Sequence, residues 1–278
     1  MKQTATPQPV TEPVKLPFFT TIFGAYGILA ENFKAFLVLG SVFALLLSVI
    51  YIGSGLGLLC INPVYQENFF CTTNVSILLI VRLFVFFISC LFIRGWYQVI
   101  TGKRPNNRLA YFVPQKTDLK IAGIFLGYVL CLLVATGSAY LLYMRVPNPD
   151  WRIELAYFAV VSLGFLVPFL TLRFMCYIAF AAGGESLPGL RIVWEKTSGN
   201  FFLLLSGIIV LFILSLFIAI SLLHQLVIVE NAGRFYVAVF SEYISQLLYL
   251  LIVACFTNYC YLQKKLLFER NNDGKSGN

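Results

Sequence analysis

Residues 201–223 read FFLLLSGIIVLFILSLFIAISLL, twenty-three positions without a single charge. A helix needs ~20 apolar residues to cross the hydrocarbon of a bilayer, and a continuous run lacks the alternation that a membrane strand requires. Five further runs of this kind flank it, at roughly 35–57, 75–98, 119–143, 154–180 and 235–262, with the quoted run inside a span at 200–223. The sequence therefore predicts an all-α fold, a polytopic membrane helical bundle of six transmembrane helices. Composition agrees. Of 278 residues 59% are hydrophobic and 12% charged, with a mean hydropathy of +0.84, where a soluble domain carries about 25% charge.

The basic residues give the orientation. Lys2, Lys15, Lys34, Lys103, Arg104, Arg108, Lys116, Lys120, Arg191, Lys196, Lys264, Lys265, Arg270 and Lys275 fall on one side of the spans, whereas Arg145, Arg152 and Arg234 fall on the other. The positive-inside rule then puts both termini in the cytoplasm. The net charge of +8 belongs to these loops, where it orients the chain and attracts anionic headgroups, so nucleic acid is not an expected partner. Residues 1–16 carry three prolines and no apolar core. They read as a disordered cytoplasmic tail rather than a signal peptide, with a basic cytoplasmic tail at 263–278.

Between the spans lie segments too apolar for ordinary loops. Residues 186–197, SLPGLRIVWEKT, place Leu187, Leu190, Val193 and Trp194 on one helical face, with Arg191, Glu195 and Lys196 elsewhere. That pattern predicts an amphipathic helix on the cytoplasmic membrane surface, with Pro188 in its first turn. Residues 17–33 repeat it through Phe19, Ile22, Phe23, Tyr26, Leu29 and Phe33, and 105–120 give a poorer version broken by Pro114. A weak threefold unit follows within the membrane domain 17–262: a surface helix and two spans over 17–98, 105–180 and 184–262. Such pseudo-repeats occur in transporters and in plain scaffolds alike.

RFMCYIAFAAGGESLPGLRIVWEKTSGNFFLLL (173–205) resembles a pattern in uncharacterised six-span inner-membrane proteins of proteobacteria. There an arginine-bearing span and small residues precede a surface helix that ends in a Thr-x-Gly-Asn turn, here Thr197, Ser198, Gly199 and Asn200. WYQVITGKRPNNRLAYF (96–112) resembles the Gly-x-x-Pro loop after their second span, here Gly102 to Pro105. The chain is also similar to the membrane domain attached to some glycerophosphodiester phosphodiesterases, without the soluble catalytic domain those carry. The resemblance implies a bacterial inner membrane and no activity.

Catalytic chemistry has few candidates. His224 is the single histidine, and no HExxH, GxSxG or phosphate-binding loop is present. No cofactor or metal is implied. Cys60 and Cys71 share the first outer loop, where an oxidising compartment would join them in a disulfide and a reducing one would leave two interfacial thiols. Gly53 and Gly57, and Gly123 and Gly127, are GxxxG pairs suited to close helix packing. Gly164 and Pro168 suggest a kink in the fourth span. An ionisable group inside a span is costly and usually paired. Arg82 and Glu242 stand at similar depth from the outer face, with Gln246 one turn beyond Glu242, which suggests a polar pair between spans two and six. It serves as a structural staple or a transport site, unless Arg82 snorkels outward alone. Arg94 and Arg173 lie near the cytoplasmic ends, where headgroups or Glu185 would satisfy them. These features favour a non-enzymatic inner-membrane protein that organises lipid or assists an envelope complex. The alternative is a small-solute or lipid transporter using the site between spans two and six. The partners expected are membrane lipids and, secondarily, another membrane protein.

Overall fold

A computed structural model describes residues 18–53, 75–103, 108–145, 149–198, 200, 209, 213 and 234–269. Every regular element among them is helical: α1 (Phe18–Glu31), α2 (Phe33–Gly53), α3 (Val75–Ile100), a 3-10 turn (Arg108–Tyr111), α4 (Lys116–Arg145), α5 (Pro149–Ala182), α6 (Leu190–Ser198) and α7 (Arg234–Lys264), which continues into a π turn (Lys265–Glu269). Four segments are long and apolar enough to cross a membrane: Phe33–Ile52, Leu79–Ile100, Lys116–Arg145 and Val239–Glu269. They coincide with the first, second, third and sixth runs read from the sequence. The fourth run falls in α5, which is one helix through Gly164 and Pro168. The fifth lies outside the described residues except Asn200, Ile209 and Ile213.

The bundle is built around α7, which touches α1, α2, α3 and α5, while α4 rests on α5 and α3. Between helices in lipid the hydrophobic effect gives no attraction, so close packing and internal hydrogen bonds must hold them. Aromatic edges supply much of the packing between α2 and α3. Phe36 meets Trp96 at 5.8 Å between ring centroids, and Phe43 meets Phe92 at 5.5 Å. Leu45 and Val49 of α2, Leu83 and Phe84 of α3 and Leu130 and Leu133 of α4 face outward instead. On helices of this length such a belt fits a lipid surround.

Glycine packing differs from the pattern in the sequence. Gly123 has nothing within 4 Å of where a Cβ would stand and Gly127 makes only an ordinary contact with Phe174, so that pair faces no tightly packed helix. Gly57 lies outside the described residues. Close approach occurs at Gly24, where a Cβ would come within 3.1 Å of Leu262, and at Gly95, where it would meet Tyr111 at the same distance.

Helix α1 passes directly into α2 at Asn32. Its backbone N–H and its side-chain Nδ2 both donate to the carbonyl of Ile28, and its own carbonyl accepts from Phe36, so one residue closes α1 and opens α2. The inward face of α1 is the small-residue row Thr21, Ala25 and Leu29, whereas Phe19 and Phe23, stacked at 6.1 Å, point away from the bundle. Of the aromatic face that the sequence singles out, Phe19, Phe23 and Phe33 are bare, whereas Tyr26 is half-buried against the core and Leu29 is buried. Small residues face α7 because they allow backbones to approach. In the second repeat unit a single 3-10 turn stands where a surface helix was expected, with Pro114 just beyond it.

Candidate functional site

Buried polar residues gather at the end of the bundle that carries α1 and α6. The first group is Arg94 on α3 with Asp118 on α4. Arg94 Nε donates to Asp118 Oδ1 at 2.7 Å, and Nη2 donates to the carbonyls of Tyr111 and Val113 at 3.1 and 3.0 Å. Both side chains are 0% exposed. Asp118 is the third residue of α4, and its Oδ2 accepts the backbone N–H of Gln115 at 2.7 Å, which caps the helix start. One carboxylate therefore both neutralises Arg94 and fixes the entry of α4. This corrects the expectation that Arg94 meets headgroups or Glu185.

Glu185 is committed elsewhere. α5 ends in a Schellman motif: Glu185 N–H donates to Phe180 O at 3.0 Å and Gly184 N–H to Ala181 O at 2.9 Å. Gly184 sits at φ +74°, a conformation that suits glycine. The turn delivers Glu185 to the ammonium of Lys264 at the end of α7, which also pairs with Glu269 at 3.4 Å and lies 5.1 Å over the Phe180 ring.

A third group joins α3, α7 and α1. Trp96 Nε1 donates to Asn258 Oδ1, and Asn258 Nδ2 donates to Ala25 O, both at 2.8 Å. Indole N–H can only donate and a carbonyl can only accept, so the two neighbours dictate the orientation of the amide.

Helix α6 lies against α5 and the π turn. Gly189 is its N-cap, its carbonyl accepting from Ile192 and Val193. The helix thus starts two residues after Pro188, later than the spacing predicts, and Leu187 precedes it. Val193, 1% exposed, packs inward with Thr197, whereas Leu187, Leu190 and Trp194 remain on the surface. The predicted apolar face is therefore divided, since Val193 and Thr197, one turn apart, form the contact with the bundle. Arg191 donates to Glu195 at 2.8 Å, and that bond raises the guanidinium pKa. Trp194 covers Arg173 of α5, the guanidinium carbon 4.1 Å from the ring centroid. Arg173 is thus met by an aromatic face that the sequence reading did not assign to it.

The opposite half of the bundle has a sparser set. Arg82 Nη1 donates to Tyr51 Oη at 3.2 Å. Glu242, 4% exposed, accepts from Gln246 Nε2 at 2.6 Å. Ser89 donates to Val85 O, so its 2.8 Å contact with Tyr249 uses the tyrosine proton. The geometry brings Glu242 and Gln246 together, while Arg82 takes Tyr51 and forms no ion pair with Glu242. One turn below Ser89, Phe92 closes against Phe36 and Phe43. Cys60, Cys71 and His224 lie outside the described residues. Among those described, no group of three or more His, Cys, Asp or Glu side chains is placed to hold a metal ion.

Sequence signals for the buried pairs existed. Asp118 is the only acid between Glu67 and Asp150, amid Lys103, Arg104, Arg108, Lys116 and Lys120, so it was the one carboxylate that the helix hairpin could offer Arg94. Nothing comparable marked Asn258, whose partners lie 162 and 233 positions away in the chain. Set beside protein-family models, curated proteins and solved structures, the chain matches none.

Proposed function

We propose that this chain is a non-enzymatic integral protein of a bacterial inner membrane, with six spans and both termini in the cytoplasm, which organises lipid at its cytoplasmic face or supports an envelope complex there. One contrast at that face carries the reading. The buried charges of Arg94, Asp118 and Lys264 sit in internal ion pairs, while Phe19, Phe23, Leu187, Leu190 and Trp194 are left on the surface. Apolar side chains presented beside internally paired charges suit contact with lipid or another apolar surface better than they suit turnover of a water-soluble substrate. Native mass spectrometry of the protein released gently from its own membrane tests this. A phospholipid or a protein partner retained at fixed stoichiometry is the expected outcome, and a chain that flies alone and bare counts against both forms of the reading.

A second reading, transport of a small solute or lipid, is favoured by one observation: a carboxylate at Glu242 buried among α7 and its neighbours, beside Gln246. If Glu242 serves transport, Glu242→Gln in proteoliposomes lowers solute flux at least about tenfold with the fold intact. Equal flux from the variant removes this reading.

A further inference from the structure

A run of contacts through α5, α7, α3 and α2 places Trp194 at a definite level in the bundle. Trp194 covers Arg173, which lies one turn before Cys176 on α5, and Cys176 donates to Gln263 of α7. Counting back one turn on α7 gives Tyr259, adjacent to Asn258, which holds Trp96, and Trp96 meets Phe36 in the first turn of α2. Trp194 therefore stands level with the point where α2 begins its apolar run, the depth at which indole rings favour a bilayer interface. On the same side one turn away Leu190 is 73% exposed, and Trp194 itself is 50% exposed, whereas Val193 and Thr197 hold the helix to the bundle.

Charge at this face is one-sided. The tails and connections assigned to it contain fourteen Lys and Arg against seven Asp and Glu. Four of those acids are already engaged within the chain: Asp118 by Arg94, Glu185 and Glu269 by Lys264, and Glu195 by Arg191. Lys196 is on α6 itself, and exposed Lys265 begins the π turn that α6 touches.

We infer that α6 is a seat for an acidic phospholipid of the cytoplasmic leaflet, with acyl chains against Leu190 and Trp194 and the phosphate drawn to Lys196 and Lys265, the cations of this segment that no acid of α6 engages. The inference rests on the lipid form of the function proposed above and adds the headgroup class and the site.

The full-length protein in detergent is titrated with phosphatidylglycerol and with phosphatidylcholine of identical acyl chains, and bound lipid is counted by native mass spectrometry. Each cation near an anionic surface contributes about fivefold in affinity, so the acidic lipid is expected to bind at least about tenfold tighter. In K196Q/K265Q the preference falls to within about twofold, with phosphatidylcholine binding unchanged. R145Q, at the opposite end of the bundle, leaves it as it was. Equal binding of the two lipids by the wild-type protein overturns the inference and leaves the broader lipid reading standing, as does a preference that survives the double substitution. Retention of neither lipid overturns both, and this comparison of wild-type affinities decides the matter even if a variant folds poorly.

Discussion

Asp118→Ala is expected to destabilise the bundle by about 3–5 kcal/mol, the cost typical of removing one partner from a buried ion pair. Arg94 has no exposed surface through which its charge could be screened. It would keep its hydrogen bonds to the Tyr111 and Val113 carbonyls but lose its counter-charge, and Gln115 would lose the carboxylate that caps its N–H. In a thermal scan of the detergent-solubilised protein this corresponds to a fall in Tm on the order of 10 °C. Asp118→Asn should cost about half as much, because an amide oxygen still accepts from one of the two donors. The informative variant is R94M/D118L. Desolvating both charges cancels much of the attraction between them, so replacing both with apolar side chains should recover a large part of the loss, leaving mainly the two unpaired carbonyls and the uncapped N–H of Gln115. If D118A melts within about 2 °C of the wild-type protein, or the double variant is no better than the single one, Arg94 and Asp118 are not the pair that fastens α4 to α3.

What could be read in advance, and what could not, follows from the range of each interaction. The helical class was legible because an uncharged run such as 201–223 has one stable way to satisfy its backbone in lipid. Capping is likewise local: Asn32 bonds Ile28, and Gly184 takes a backbone conformation that glycine accommodates best. Burial was harder. Periodicity groups Leu187, Leu190, Val193 and Trp194 on one side of a helix, but in a membrane an apolar side chain is equally at home against lipid or against protein. The pattern therefore could not reveal that Val193 turns inward and Leu190 outward. For α1 the same ambiguity hid the small-residue face, since Thr21 and Ala25 carry little hydrophobic signal while Phe19 and Phe23 carry much. Long-range polar partners were the least legible. Equal depth suggested Arg82 with Glu242, yet depth says nothing about rotation around a helix axis, and Arg82 is turned toward Tyr51.

Asn258→Leu is expected to cost about 2–3 kcal/mol, because it strands the fully buried indole N–H of Trp96 and withdraws the donor from Ala25. Trp96→Phe should cost a similar amount by a different route, leaving Asn258 Oδ1 without its donor and removing part of one of the largest buried side chains. Once either partner has gone, removing the other costs less. The double variant W96F/N258L should therefore fall short of the sum of the singles by about 1–2 kcal/mol, the range found for residues that share one hydrogen-bond network. The two single variants separate in a second measurement. Only Asn258 reaches α1, through the 2.8 Å bond from its Nδ2 to Ala25 O. Hydrogen exchange across Phe18–Glu31 should thus accelerate several-fold in N258L and change little in W96F, at temperatures where both proteins remain folded. Equal exchange in the two variants would mean that α1 is held by its packing at Gly24 and Leu262 alone. Unequal exchange would show that a single amide couples the N-terminal helix to the centre of the bundle, so that anything pulling on the Phe19 and Phe23 face is felt at Trp96.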